Sequence, residues 1–264
     1  MDKLPQADVG VFGGSGFYRF LDDATELTVD TPYGPPSAPL HLGHLGDRTV
    51  AFLPRHGANH ELPPHRINYR ANVWAMHALG VINVFGPCAS GSLQADVVPG
   101  SFVVPDQLVD RTWGRPDTFF DGDDGRTHHV AFGDPYDEQL RQAAIAACRA
   151  EGVGLRERGT VVTIQGPRFS TRAESQWFGA QGWEVVNMTQ HPEAVLCREA
   201  GLRYAAIALI TDFDAGLEGS GIEPVTQEEV FAFFEQNVEV VRQVLFRALA
   251  GDLPAERLEA GPGL

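Results

Sequence analysis

The chain has 264 residues, with 35 Asp and Glu against 20 Lys and Arg, and its formal charge of −15 works against binding nucleic acid or an anionic membrane. No stretch approaches the roughly 20 apolar residues of a spanning helix, and the opening Met1 to Pro5 lacks a secretory apolar core, so a cytoplasmic protein is expected. Cys88, Cys148 and Cys197 lie far apart with no CxxC pair, which argues against a disulfide framework or a thiolate zinc site.

In chain order, apolar runs suited to buried strands fall at Val9 to Phe12, Thr49 to Leu53, Val81 to Phe85, Phe102 to Val104, Thr160 to Ile164 and Tyr204 to Ile210. Helical patterns separate several of them. Asp134-Pro135 predicts a helix start, with Tyr136, Leu140, Ala144 and Cys148 on one face. Thr171 and Glu174 have capping-box spacing, and Pro192 opens a helix that Gly201 ends. Thr226 and Glu229 repeat the capping box; Val230, Phe234, Val238, Val241, Leu245 and Leu249 follow at spacings of three and four, so that face is expected to be buried. The alternation predicts a single α/β domain over residues 1–250, with residues 251–264, rich in Gly, Pro, Ala and Glu, as a flexible tail. A sheet covered on both faces leaves its chemistry to the loops at strand ends.

Several familiar motifs fail there. Gly13-Gly14-Ser15-Gly16 follows a strand but fits neither the dinucleotide fingerprint nor the P-loop, and Phe17 stands where a nucleophile elbow needs its second glycine. His60-Glu61-Leu62-Pro63-Pro64-His65 is one residue too long for a zinc-protease helix and carries two prolines, so no metal is expected. Oxyanion donors remain. Ser15 sits in a glycine loop that makes either an anion nest or a plain tight turn. Arg55 and His56 follow a strand, where the guanidinium fork matches phosphate oxygens or makes a surface ion pair. Ala89-Ser90-Gly91-Ser92 reads as a loop with free amides or an ordinary connection, and Thr189 either offers a hydroxyl at a positive helix end or merely caps it. Thr211-Asp212-Phe213-Asp214 ends an apolar strand; alternation sends both carboxylates to one side, which suits a shared ligand donor unless they only cap or turn.

Taken in order, these fragments resemble the trimeric purine nucleoside phosphorylase family, most closely its methylthioadenosine phosphorylase branch, over about 240 residues. The match also includes Asp30-Thr31-Pro32-Tyr33-Gly34, Asn68-Tyr69-Arg70-Ala71-Asn72, Gly91-Ser92-Leu93, Gly166-Pro167-Arg168-Phe169-Ser170-Thr171-Arg172-Ala173-Glu174 and Asn187-Met188-Thr189. The resemblance implies a phosphorylase-type fold with a mixed central sheet flanked by helices, and a homotrimer with sites at subunit interfaces. It implies phosphorolysis of 5′-methylthioadenosine, or of adenosine, inosine or another 5′-modified nucleoside, with inorganic phosphate as co-substrate and no cofactor. A noncatalytic nucleoside-binding protein and a water-using nucleosidase are the rival readings. By resemblance, Ser15, Arg55, His56, Ala89 and Thr189 bind phosphate, Met188 packs on the ribose, and Phe169 and Ser170 form the purine wall and its polar contact. Asp212 is expected to hydrogen-bond a protonated purine N7 and Asp214 to accept from a 6-amino group, which a carboxylate prefers to a 6-carbonyl. Val230, Phe231 and Gln227 are expected at the 5′ end, where Gln227 either bonds a 5′-hydroxyl or is simply exposed; His129 is expected to reach a neighbouring subunit's site. Cys88, Ser90, Gln190 and His191 depart from the family pattern.

Overall fold

A computed structural model describes residues 4–14, 21, 23–122, 125, 127–216, 223–261 and 264. In chain order its elements are β1 (Val9–Gly13), β2 (Thr25–Leu27), β3 (Leu40–Leu45), β4 (Arg48–Pro54), α1 (Tyr69–Ala78), β5 (Asn83–Ser92), β6 (Phe102–Val103), β7 (Gln107–Arg111), α2 (Glu138–Glu151), β8 (Leu155–Arg156), β9 (Thr160–Ile164), α3 (Arg172–Ala180), β10 (Val185–Asn187), α4 (Gln190–Glu199), β11 (Arg203–Asp212) and α5 (Gln227–Ala250). The strands form one mixed sheet. Strands β4, β1, β5 and β11 run parallel at its centre, while β3 joins β4 and β10 joins β5 in the antiparallel sense.

Both faces of that centre are buried, which is why its strands read as unbroken apolar runs. In β1, Val9 and Val11 enter the cluster that includes Leu140, Ile145, Val241 and Leu245 from α2 and α5. Phe12 enters the other, with Val73 and Met76 of α1 and Leu196 and Cys197 of α4.

The capping boxes expected at Thr171 and Thr226 are both formed. Asp134-Pro135 does not start a helix: α2 begins at Glu138, because the Asp137 side chain accepts from the Leu140 amide and supplies the cap. α4 is kinked at His191, whose dihedrals are not helical, and runs without interruption from the expected opening at Pro192, with Gly201 following its end at φ +71°.

The expected loop at Ala89 to Ser92 is instead the second half of β5, which runs unbroken from Asn83. The tail expected to be flexible is hydrogen-bonded to the body. Leu258 N donates to Gly201 O, Gly261 N to Glu199 O, Asn83 Nδ2 to Pro254 O and Arg257 Nε to Val81 O. Its composition carried no hint of these partners, all of which lie far back in the chain.

The position of β5 matters most. Along one edge it pairs with β11 throughout. Along the other, Asn83 to Phe85 pair with β1, whereas Gly91 and Ser92 pair with β10. Between those partners the edge of β5 is open, beyond the carboxyl ends of β1 and β4. Crevices of this kind, where neighbouring strands part, are where open α/β sheets bind ligands.

Candidate functional site

A cavity of about 300 Å³ occupies that crevice. Its walls bring together Gly14, Arg55, His56, Ala89, Phe169, Met188, Thr189, Asp212, Asp214, Gln227, Val230 and Phe231, residues from seven separate stretches of chain. Ser15 lies outside the described residues, although its neighbour Gly14 lines the cavity. Ser170 does not line it; it stands behind, beside Asp214. His129 is exposed and apart from it.

One end holds hydrogen-bond donors. Arg55, just past β4, is 1% exposed, so the surface ion pair is excluded. Its Nε and Nη2 instead donate to the two carboxylate oxygens of Glu193 in α4, at 2.6 and 2.8 Å, and its Nη1 to Pro87 O at 3.3 Å. Burial works to lower the Arg55 pKa, but the charge and hydrogen bonds of Glu193 outweigh it and hold the guanidinium firmly protonated. His56 is bonded through Nδ1 to Leu62 O at 2.9 Å. Burial, and then the Arg55 charge, push its pKa down to about 3, so the ring is neutral near pH 7.

Thr189 precedes α4 without capping it by its side chain. Its amide and hydroxyl both donate to Asn187 Oδ1, at 2.7 and 3.3 Å, and a hydroxyl so placed rotates readily toward a bound oxyanion. Asn187 Nδ2 in turn donates to Ala89 O. An extended residue sends its N–H and C=O to the same edge, so the Ala89 amide faces the open edge of β5, away from β11. The Ala89 amide thus points into the crevice from a strand rather than from a loop.

The other end is acidic. Alternation along a strand does not explain why Asp212 and Asp214 meet, because β11 stops at Asp212 after a register shift and Asp214 takes φ +49° in the following turn. The turn is closed by the Asp214 amide donating to Asp212 Oδ1 at 2.7 Å, while Thr211 Oγ1 donates to Asp212 Oδ2 at 2.6 Å. Gly91 makes room: a Cβ there would stand 2.9 Å from Asp212 Oδ1 and 3.1 Å from Asp214 Cβ. Burial raises both carboxyl pKa values, partly offset at Asp212 by its two donors and at Asp214 by the neighbouring Ser170 and Ser175 hydroxyls. Those hydroxyls are not aligned on Asp214 Oδ2, which among the described residues is buried without a hydrogen-bond partner, as is Ser170 Oγ.

Between the two ends, Met188, Pro167 and Phe169 form an apolar wall. What holds it carries no sequence motif. Buried Arg115 donates to Met188 O, His191 O and Gln165 O at 3.0, 2.6 and 2.9 Å, clamping the two loops together. His60, from the segment that does not fit a zinc site, also lines the cavity, with its ring stacked on His56 at 4.5 Å and edge-on to Phe231 at 4.9 Å. Burial lowers its pKa. Gln190 makes its contacts in the core, with Nε2 3.3 Å from Cys88 Sγ and Oε1 accepting from the Tyr136 hydroxyl. Among the described residues no group of three or more His, Cys, Asp or Glu is placed to hold a metal ion, and no helix is long and apolar enough to cross a membrane.

The chain belongs to the phosphorylase superfamily, whose sequence profile matches residues 8–250. Within that class it is 57% identical over 243 residues to the S-methyl-5′-thioadenosine phosphorylase of Mycolicibacterium smegmatis, covering 91% of this chain and 90% of the relative. It is 55% identical over 261 residues to a purine nucleoside phosphorylase of Streptomyces coelicolor, covering 97% and 92%. Among solved structures, the methylthioadenosine phosphorylase of Schistosoma mansoni in complex with adenine superposes with a TM-score of 0.87 at 41% identity, covering 93% of this chain and 91% of that one.

Proposed function

We propose that this protein cleaves 5′-methylthioadenosine with inorganic phosphate, giving adenine and 5-methylthioribose 1-phosphate. One observation carries the reading: a single cavity joins oxyanion donors (Arg55, Thr189, the Ala89 amide) to a half-buried and a buried carboxyl, Asp212 and Asp214, whose pKa values are raised. Phosphate held at the first end attacks C1′ as the C1′–N9 bond breaks, and the electron pair of that bond leaves with the purine. Asp212 meets the charge that develops there, with its proton shared with N7, while Asp214, which lines the cavity beside it, accepts from the 6-amino group. The apolar wall of Met188 and Phe169 receives ribose and base, and His60, Val230 and Phe231 close the 5′ end. Phosphate is a co-substrate in this scheme, and the residues present require no cofactor.

The names of the relatives support both methylthioadenosine and wider purine nucleoside turnover, and the acidic pair favours 6-amino purines. The test is adenine release from 5′-methylthioadenosine with and without phosphate, beside adenosine and inosine. We expect strictly phosphate-dependent release, with inosine slowest; phosphate-independent release, or an inosine preference, would overturn the reading. His129, exposed in the single chain, fits a homotrimer in which it enters the neighbouring copy's cavity. Replacing it should raise KM for the nucleoside without changing the phosphate requirement.

A further inference from the structure

The ion pair beneath the cavity is built more elaborately than the fold needs. Glu193 commits both carboxylate oxygens to Arg55, and Oε2 also accepts from the Tyr204 hydroxyl at 2.7 Å. Each of the four participants comes from a different place: Arg55 from the end of β4, Glu193 from α4, Tyr204 from β11, and Pro87 O from β5. Both charged side chains are 1% exposed. A buried ion pair is a poor source of stability, since desolvation consumes most of its Coulomb attraction and an apolar pair of similar volume serves a core as well. Even the backbone accommodates it, because any side chain at Gly86 would collide with the Tyr204 hydroxyl.

A guanidinium has five N–H groups in a rigid plane. Glu193 takes the Nε–Nη2 edge and Pro87 O takes one hydrogen of Nη1, so among the described residues the hydrogens left over are one on Nη1 and one on Nη2, in a side chain that lines the cavity. The Gly14 backbone lies over Nη1: a Cβ there would sit 3.4 Å from it. Because the carboxylate cancels the guanidinium charge, what Arg55 offers a ligand is direction rather than net charge. Direction is what a planar fork loses when its anchor is weakened.

We infer that Glu193, braced by Tyr204, is the positioning residue that turns the free N–H edge of Arg55 toward the phosphate. This rests on the phosphorolytic reading and adds to it a residue that touches no substrate. Glu193→Gln places an amide NH2 against one of the Arg55 donors, and Tyr204→Phe removes only the brace.

The experiment is steady-state adenine release from 5′-methylthioadenosine, with phosphate and nucleoside varied independently. For Glu193→Gln the phosphate KM should rise about 10- to 100-fold, as expected for one charge-assisted hydrogen bond lost, with nucleoside KM within about 2-fold. Tyr204→Phe should raise the phosphate KM about 2- to 10-fold with the same selectivity. In an Arg55→Lys background, which has no fork to orient, Glu193→Gln should add less than about 2-fold. A merely structural pair behaves otherwise: kcat falls with the active fraction and both KM values stay put. That pattern, equal rises in both KM values, or full additivity with Arg55→Lys would overturn the inference. Should Glu193→Gln fail to fold, Tyr204→Phe decides, and an unchanged phosphate KM there rejects the proposal. A wild-type enzyme with no phosphate-dependent turnover would instead reject the phosphorolytic reading itself.

Discussion

The two ends of the cavity are finished to different degrees. At the donor end the described side chains already have protein partners: Arg55 on Glu193 and Pro87, His56 on Leu62, Thr189 on Asn187, and Asn187 on Ala89. At the acidic end Asp214 Oδ2 and Ser170 Oγ are buried with none, and Gln227 stands exposed at the rim. Buried polar atoms without partners are rare in folded proteins and call for an explanation. The difference fits the two ligands proposed. A small symmetric anion is best met by donors locked before it arrives, whereas a base with its own amino group brings a donor to the Asp214 carboxyl that lines the cavity, with Ser170 standing behind it.

The largest effect that sharpens this contrast is expected for Arg55→Ala. It removes the fork and strands the Glu193 carboxylate at 1% exposure, so a stability loss of about 3–5 kcal/mol is expected. Phosphate kcat/KM should fall about 10²- to 10⁴-fold, for one or two charge-assisted hydrogen bonds. Adding Glu193→Gln removes the stranded charge and should recover much of the melting temperature but none of the phosphate use. If activity returned with stability, Arg55 would be a structural residue.

Asp212→Asn comes next and strikes the opposite end. An amide cannot share a proton with N7, so kcat should drop about 10²-fold or more, as for other groups that meet developing charge. Phosphate KM should stay within about 2-fold. A matching rise in phosphate KM would show that the two ends are not separable.

The ends also titrate in opposite senses. His56 falls from 6.5 to about 3 on folding, so between those values the unfolded chain binds the extra proton. Its contribution is complete above pH 6.5 and is lost as pH falls, by about 1.4 kcal/mol per pH unit. Asp212 and Asp214 have raised values, so above the ordinary aspartate range the folded state binds the extra proton, and their charged forms cost stability that returns as pH falls. Denaturant titrations from pH 7 down toward the ordinary aspartate range should therefore show a flatter acid loss for His56→Asn than for wild type, and a steeper one for Asp212→Asn. Parallel curves would place both groups in ordinary solvent.

How much of this was legible depended on whether the signal was local. The central strands and the capping boxes at Thr171 and Thr226 declare themselves over a few residues, and both boxes form. Helix α1 gives no amphipathic signal, because Tyr69, Ala71, Asn72, Val73, Ala75 and Met76 are all buried and no polar stripe is left to set the period. Gly86, Pro87 and Gly91 read as breakers and ended the expected strand early, yet β5 runs through them, since its glycines admit Tyr204 and the two aspartates. Many of the residues that line the cavity are legible by their chemistry. Those that hold them are not: Glu193 looks like an ordinary first-turn acid, and its partner lies 138 residues away. Arg115 is the same case, a lone arginine whose carbonyl partners carry no sequence signature.

The smallest expected effect tests the rim, where the acidic end meets solvent. Gln227 is the first residue of α5, exposed yet lining the cavity, and the capping box between Thr226 and Glu229 does not involve its side chain. Leucine is as good a helix former as glutamine, so Gln227→Leu leaves α5 intact and changes only what the 5′ substituent meets. A 5′-hydroxyl that accepts from or donates to the amide loses one neutral hydrogen bond, about 0.5–1.5 kcal/mol, so adenosine kcat/KM should fall about 3- to 10-fold. A methylthio group offers no comparable bond and gains an apolar neighbour beside Val230 and Phe231, so methylthioadenosine kcat/KM should hold or rise. The measurement is the ratio of the two kcat/KM values in wild type and variant at one saturating phosphate concentration. A ratio that stays within about 2-fold would make Gln227 an exposed first-turn residue and leave 5′ selection to His60, Val230 and Phe231.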